Sequence, residues 1–281
     1  MPKRAPANTY GGEAIDIDTT VAHTSRVYDY LLGGTNNFAV DRAVAENAFA
    51  TYPGGLDGVR ADARANRGFL VRSVRYLARE AGVRQFLDIG TGIPNADNTH
   101  AVAQAVSPDA RVVYVDNDPI VLAHAHQLLS SAPDGVTAYV QGDVRTPARI
   151  LQLAADTLDF TEPVALVLVG LLHVIPDAAD PHGIVATLVD AVVPGSYLAI
   201  SHMTNDPPTG VMAEVTQRLD RAMHRTNPPA LRSEADVRRF LAGLELVEPG
   251  VVEVDKWRPE GGGSRANHGR ATPVLGGVAR K

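Results

Sequence analysis

The sequence contains no cysteine. That excludes disulfides, thiolate metal sites and cysteine nucleophiles. Lysine is scarce, with only Lys3, Lys256 and Lys281, so nearly all positive charge is arginine. This pattern reads as genomic base composition. Basic residues are in deficit: 26 Lys and Arg against 32 Asp and Glu give a formal charge of −6. Such a balance argues against a nucleic-acid partner. No apolar run approaches the ~20 residues of a membrane span, and no apolar stretch follows Met1-Pro2-Lys3-Arg4-Ala5-Pro6. No membrane association or signal peptide is expected, and a cytoplasmic protein is. Metal-ligand spacing is missing as well. His124 and His126 lie two apart on an expected helix and face different ways, and His100 stands alone. No metal is expected.

What is present is a chain of 281 residues, 45% hydrophobic, long enough to bury a sizeable core. Residues 1–20 are polar and read as a mobile arm. Residues 21–82 read as a helical extension, with helices at 21–32, 38–50 and 61–81. Gly33-Gly34 stops the first, and Gly82 the third. From residue 83 onward the pattern changes to strand alternating with helix. Strands are expected at 85–89, 111–115, 136–140, 163–169 and 196–201, with helices at 96–106, 119–130 and 181–192 between them. Helices at 211–225 and 234–241 follow, the latter capped by Ser233. Late strands are expected at 244–247, 251–254 and 273–279. Alternation of this kind is the signature of an α/β doubly wound parallel sheet. Such a sheet binds ligands beyond the carboxyl ends of its strands.

Those ends carry the informative residues. Gly90-Thr91-Gly92 lies between the first core strand and a helix. Glycine lets backbone approach a ligand, and the helix N-terminus favours a negative group. A phosphate or a carboxylate fits equally. Two details separate the ligands. A dinucleotide loop needs a third glycine at position 95, which is Asn95 here. Asp88, two residues before Gly90, would repel a pyrophosphate and suits an ammonium. An acid beside a helix N-terminus matches the ammonium, carboxylate and sulfonium of S-adenosylmethionine. Asp116 ends the second strand, where a carboxylate can accept both ribose hydroxyls. Asp143 ends the third, where it can accept from an adenine amino group while the Val144 N–H donates to a ring nitrogen. Each Asp alone suits a turn or cap equally well; the ordered set of three is more specific.

Other candidates carry two readings each. Arg67 suits the cofactor carboxylate through a bidentate contact, or a surface salt bridge. His173, after the fourth core strand, and His202, at the end of the fifth, are candidate general bases or structural histidines. Arg26, Tyr28, Asp29, Gly33, Gly34, Asn36 and Asn37 form a polar constellation at a helix end. They read as a capped helix and turn, or as a lid over the site. Trp257-Arg258-Pro259 and Gly261-Gly262-Gly263 read as a flexible connector between late strands, or as an edge of the acceptor pocket.

The segments Asp88-Ile89-Gly90-Thr91-Gly92-Ile93-Pro94 and Val112-Val113-Tyr114-Val115-Asp116-Asn117-Asp118-Pro119 resemble the class I S-adenosylmethionine-dependent methyltransferases. With Ser25–Gly34, Asn36-Asn37-Phe38, Arg64-Ala65-Asn66-Arg67, Gly142-Asp143-Val144-Arg145 and Gly243-Leu244-Glu245-Leu246-Val247, the resemblance narrows to an actinobacterial family of unassigned acceptor. It implies a Rossmann-like, mostly parallel seven-stranded sheet with an antiparallel last strand. It also implies that Asp88, Gly90, Gly92, Asp116 and Asp143 contact or organise the cofactor, and Thr91 and Asn117 beside them are further candidate cofactor-binding residues. Asn117 stands where the family more often has an apolar residue packed on adenine.

The expected function is methyl transfer from S-adenosylmethionine to a small molecule, by in-line displacement at the sulfonium, with His173 as the base where the acceptor has a proton to lose. The competing readings are a non-catalytic S-adenosylmethionine-binding regulatory protein and an NAD(P)-dependent oxidoreductase.

Overall fold

The structure is a computed structural model that describes residues 8–10, 13–15, 18–94, 97–118, 121, 132–205, 211–223, 229–259 and 270–281. The expected helix at 119–130, apart from Val121, lies outside the described residues, as do Asn95, His124, His126 and the Gly261–Gly263 run.

Within the segment read as an arm, β1 (Asn8–Tyr10) pairs antiparallel with β2 (Glu13–Ile15). Three helices follow: α1 (Thr24–Leu32), α2 (Ala39–Ala48) and α3 (Gly55–Arg79). Gly33 ends α1 in the left-handed conformation, as its place after the last apolar residue requires. The main sheet contains β3 (Gln85–Ile89), β4 (Arg111–Asp116), β5 (Val136–Gln141), β6 (Val164–Val169) and β7 (Tyr197–Met203). They run parallel in the order β5-β4-β3-β6-β7. Strand β10 (Val274–Arg280) adds antiparallel to β7. The two-residue strands β8 (Glu245–Leu246) and β9 (Val252–Glu253) both pair with β10, so eight strands occupy seven positions. The order changes direction at β3, between β4 and β6, which makes that carboxyl end the topological switch point.

Side-chain alternation divides the interior into two layers. Leu87, Ile89, Val113, Val115, Leu166, Leu168, Leu198 and Ile200 point to one face. The helices Pro147–Ala154, Pro181–Asp190 and Glu234–Arg239 cover it. Phe86, Val112, Tyr114, Ala165, Val167 and Ala199 point to the other face, covered by α3 and α4 (Thr99–Val106). The helix Pro147–Ala154 is additional to those expected, although Thr146-Pro147 before Ile150, Leu151 and Ala154 carries a start signal. Trp257 is not a pocket edge. It is fully buried on the α3 side, edge-to-face with Phe69 and Tyr76 at 5.4 and 5.9 Å. Burial of an indole contributes about 4–5 kcal/mol by apolar area, so the loop is pinned there. A third apolar cluster joins α1, α2 and α3 to the helix Val211–Ala222. No described helix is long and apolar enough to cross a membrane.

Candidate functional site

Because side chains alternate, Asp88 shares the face of Phe86, and Asp116 that of Tyr114. Both carboxylates therefore lie on the α3 and α4 side. Between them the chain turns through Gly90 and Gly92, both at positive φ, 76° and 66°. A Cβ on Gly90 would sit 2.7 Å from Leu171, so glycine is required where the loop meets the turn after β6. The loop is anchored by Gly90 N–H donating to the Val115 carbonyl at 2.8 Å and by Thr91 Oγ1 donating to the Asp88 carbonyl at 3.2 Å.

Asp88 is buried and accepts from Thr99 Oγ1 at 2.6 Å. Burial pushes its carboxyl up to about 6, although Thr99 and the Arg67 charge pull the other way. A raised value means that the ionised form lacks sufficient counter-charge nearby. Asp116 accepts from Gly92 N–H and Asp118 N–H, each at 3.0 Å. Burial raises its carboxyl too, against those two hydrogen bonds. Asp143 differs. Arg145 Nε reaches both of its oxygens, at 2.9 and 3.0 Å, and Asn117 also donates to it. The Arg145 fork and these bonds hold its carboxyl below the usual range. Its carbonyl accepts from Thr146, so it also forms the turn. Val144 next to it is buried.

Among the described residues Arg67 makes no salt bridge. Its Nη2 instead donates to the Asp97 carbonyl at 2.6 Å and to Asn98 Oδ1 at 2.9 Å, bracing the loop that leads into α4. Among the described residues, Arg67 Nε is buried without a hydrogen-bond partner. His100 is also internal, with its Nδ1 2.9 Å from the Tyr114 hydroxyl.

The two histidines lie together, their rings edge-to-face with centroids 5.7 Å apart. His173 lies on a short 3-10 turn, Leu172–Val174, at the carboxyl end of β6. His202 is fully buried on the sheet face opposite Asp88 and Asp116 and matches the structural-histidine reading more closely than the base reading. Its Nδ1 is 2.6 Å from the Met203 carbonyl and its Nε2 2.9 Å from Arg232 Nη1. Both ring nitrogens are engaged, and burial pulls its pKa down to about 4. Arg232, which the sequence did not single out, organises this region. It donates to the carbonyls of Leu172 and Ile175, each at 2.9 Å, and to Asp177 at 2.6 Å. It thereby fixes the turn that carries His173. A lone arginine in an irregular stretch offers no signal of this.

In the N-terminal constellation, the capped-turn reading accounts for much of the polarity. The Asp29 carboxylate accepts from Asn36 N–H and Asn37 Nδ2, at 2.9 and 2.8 Å. A Cβ on Gly34 would fall 2.1 Å from Asp29 Oδ1, which explains the second glycine. Arg26 pairs with the fully buried Asp41 at 2.9 Å. Tyr28 faces inward: Asn66 donates to its hydroxyl at 3.1 Å and accepts from Ser201 Oγ at 2.6 Å. Ser201 Oγ also accepts from Gly170 N–H at 2.9 Å. Helix α1 is thus linked to the carboxyl edge of the sheet at β7 through Asn66 of α3.

These residues fit an amino-acid-bearing nucleoside. An ammonium would supply the counter-charge that Asp88 lacks, the unpartnered Arg67 Nε suits a carboxylate, and Asp116 is oriented to accept.

The sequence matches a family described as S-adenosyl methyltransferase over residues 11–281. No curated protein matches it. Among solved structures, it is similar to a DUF574 family protein from Streptomyces avermitilis, with 43% identity, 94% of this chain and 99% of that one covered, and a TM-score of 0.86. It is similar to a putative methyltransferase from Thermobifida fusca, at 39% identity, 94% and 96% coverage and a TM-score of 0.84. A SAM-dependent methyltransferase from Anabaena variabilis shares the fold at 16% identity, 78% and 86% coverage and a TM-score of 0.51.

Proposed function

The chain belongs to the S-adenosyl methyltransferase family and is an S-adenosylmethionine-dependent methyltransferase; from that premise we propose that its acceptor is a small molecule held between the turn after β6 and the N-terminal helices. The observation that carries this reading is the pair of carboxylates, buried Asp88 and half-buried Asp116, flanking a positive-φ glycine turn at the switch point. In this reading Asp88 binds the ammonium, Arg67 the carboxylate and Asp116 the ribose hydroxyls. Thr91 and the two glycines shape the loop. Val144 N–H and Asp143 border the adenine, with Asn117 steadying Asp143. Bound S-adenosylmethionine supplies an already activated methyl group. The protein's own contribution is to orient donor and acceptor in line and to exclude water. Residues 21–82 act as the covering element, since α1 is tied through Asn66 of α3 to the carboxyl edge of β7. His173 accepts the acceptor's proton where there is one to lose. The acidic surface, net −6, favours a small molecule over nucleic acid. The family leaves the nicotinamide reading without support, and the non-catalytic alternative is not favoured.

Calorimetry with S-adenosylmethionine, S-adenosylhomocysteine and NAD should show binding of the first two and none of the third. Incubation with methyl-labelled S-adenosylmethionine and a small-metabolite extract should transfer label to a low-molecular-weight compound. Label appearing only in nucleic acid or protein fractions would refute the acceptor class.

A further inference from the structure

Asp88 is held from outside its own strand. In β3 it lies in register with Tyr114 of β4 on one side and Val167 of β6 on the other. Neither neighbour gives its carboxylate a hydrogen bond. The Tyr114 hydroxyl is engaged by His100, whose N–H donates to it at 2.7 Å and whose Nδ1 lies 2.9 Å away. Among the described residues, the one hydrogen-bond donor to the Asp88 carboxylate is Thr99, whose Oγ1 donates to Oδ2 at 2.6 Å. Both side chains are buried, Thr99 at 1% exposure and Asp88 at 5%. Thr99 is the first residue of α4, and the N-cap of that helix is Asn98, so the Thr99 hydroxyl is not the cap.

The titratable groups around Asp88 come from four elements. Helix α3 brings the Arg67 charge, β4 brings Asp116 and Tyr114, β5 brings Tyr139, and α4 adds His100 behind Tyr114. Burial holds both phenols above the ordinary tyrosine range and His100 below the ordinary histidine value. Arg67 favours the ionised carboxylate and Asp116 opposes it, each through space. Thr99 acts through a directed bond.

We propose that Thr99 is the positioning residue of the ammonium site: its hydroxyl fixes one oxygen of Asp88 and favours the ionised carboxylate, so that the other oxygen meets the ammonium of the cofactor. This rests on the reading of Asp88 as the ammonium acceptor. A hydroxyl held against a carboxylate stabilises the charge that burial opposes. Without it the carboxyl keeps its proton to higher pH, and the ammonium meets a neutral acid. The loss is then visible in the pH at which affinity falls, and only for ligands that carry the ammonium.

Thr99→Val keeps the branched shape and removes the donor; Thr99→Ser keeps the donor and removes the methyl group. Calorimetry from pH 5 to 8.5 compares S-adenosylhomocysteine with its analogue lacking the α-amino group, on the wild type, both variants and Asp88→Asn. The wild type should prefer the amine about thirtyfold at pH 8 and lose that preference as pH falls through about 6. Thr99→Val should move the loss upward by about one pH unit, the scale of one hydrogen bond to a charged group. Thr99→Ser should follow the wild type, and Asp88→Asn should show no preference at any pH. Thr99→Ala also removes the donor, without adding bulk, and should give the same upward shift should valine not pack. A wild-type profile in the variants lacking the hydroxyl, with the preference gone in Asp88→Asn, overturns the role of Thr99 and leaves Asp88 as the ammonium ligand. A preference retained in Asp88→Asn overturns both. A shift in Thr99→Ser equal to that in Thr99→Val assigns the effect to the methyl group and overturns the role of the hydroxyl.

Discussion

On the proposed cofactor side, β3 and β4 carry carboxylates, buried Asp88 and half-buried Asp116, orientated by Thr99 or by backbone N–H groups. On the other side, β6 and β7 lead to His202 and to the turn carrying His173, with Arg232 tying the two together. The first half leaves ionisable groups short of partners, and so ready for a charged ligand. The second half closes its polar groups on one another. Binding and architecture thus draw on the same residue types, and partner supply decides which role each group plays.

The comparison breaks most visibly at Arg232. Without the guanidinium, the carbonyls of Leu172 and Ile175 and the ring of His202 lose their donor. Arg232→Ala should cost about 3–5 kcal/mol of stability, a fall of roughly 6–15 °C in thermal melting. An unchanged melting temperature would mean that the acceptor-side turn is held by something else.

The two halves also titrate in opposite senses. Asp88 is raised from 3.8 to about 6, so the folded state binds its proton more tightly, and its contribution to stability declines as pH rises from about 4 to 6. His202 is lowered from 6.5 to about 4, so the unfolded state binds its proton more tightly, and its contribution rises between pH 4 and 6.5. Each spans about 3 kcal/mol, and they largely cancel in the wild type. Denaturant melts of Asp88→Asn should show stability increasing with pH across that window, and His202→Gln the reverse. Parallel pH profiles for the two variants would sink the assignment.

A smaller effect concerns binding. Asp88→Asn should weaken S-adenosylmethionine by about 2 kcal/mol at pH 8, since an ammonium loses its counter-charge. Wild-type affinity should decline below pH 6, approaching about tenfold per pH unit, as the carboxyl protonates. Calorimetry from pH 5 to 8 checks both, and a flat profile would remove Asp88 from the ammonium site. The smallest effect is expected at Asp143, whose carboxylate is already taken up by Arg145 and Asn117. Asp143→Ala should change cofactor affinity by under about 1 kcal/mol. A loss equal to that at Asp88 would make Asp143 a direct ligand despite its partners.

Much of the cofactor half was legible before any coordinates. Strand periodicity, Asp88, the Gly90–Gly92 turn and Asp116 are local features, each readable within a few residues. The same reading treated His202 and His173 alike, and the structure brings their rings together; what local pattern could not show is that Arg232 and Met203 occupy the ring of His202. Arg67 changed character for a similar reason: its partners, Asp97 and Asn98, are 30 and 31 residues away. Trp257 read as a connector because its neighbours Arg258 and Pro259 are loop-forming, while Phe69 and Tyr76, which bury it, come from α3.

The sequence by itself determined the doubly wound alternation, the glycine turn, the acids that end successive strands and hence the methyl donor, because periodicity, backbone permissiveness and strand termini are properties of neighbouring residues. Only the tertiary structure decided which acids lack counter-charge, which histidine is locked, and that Thr99, from another element, donates to Asp88. Those properties depend on burial and on partners supplied by distant segments, and neither is encoded in the local order of side chains.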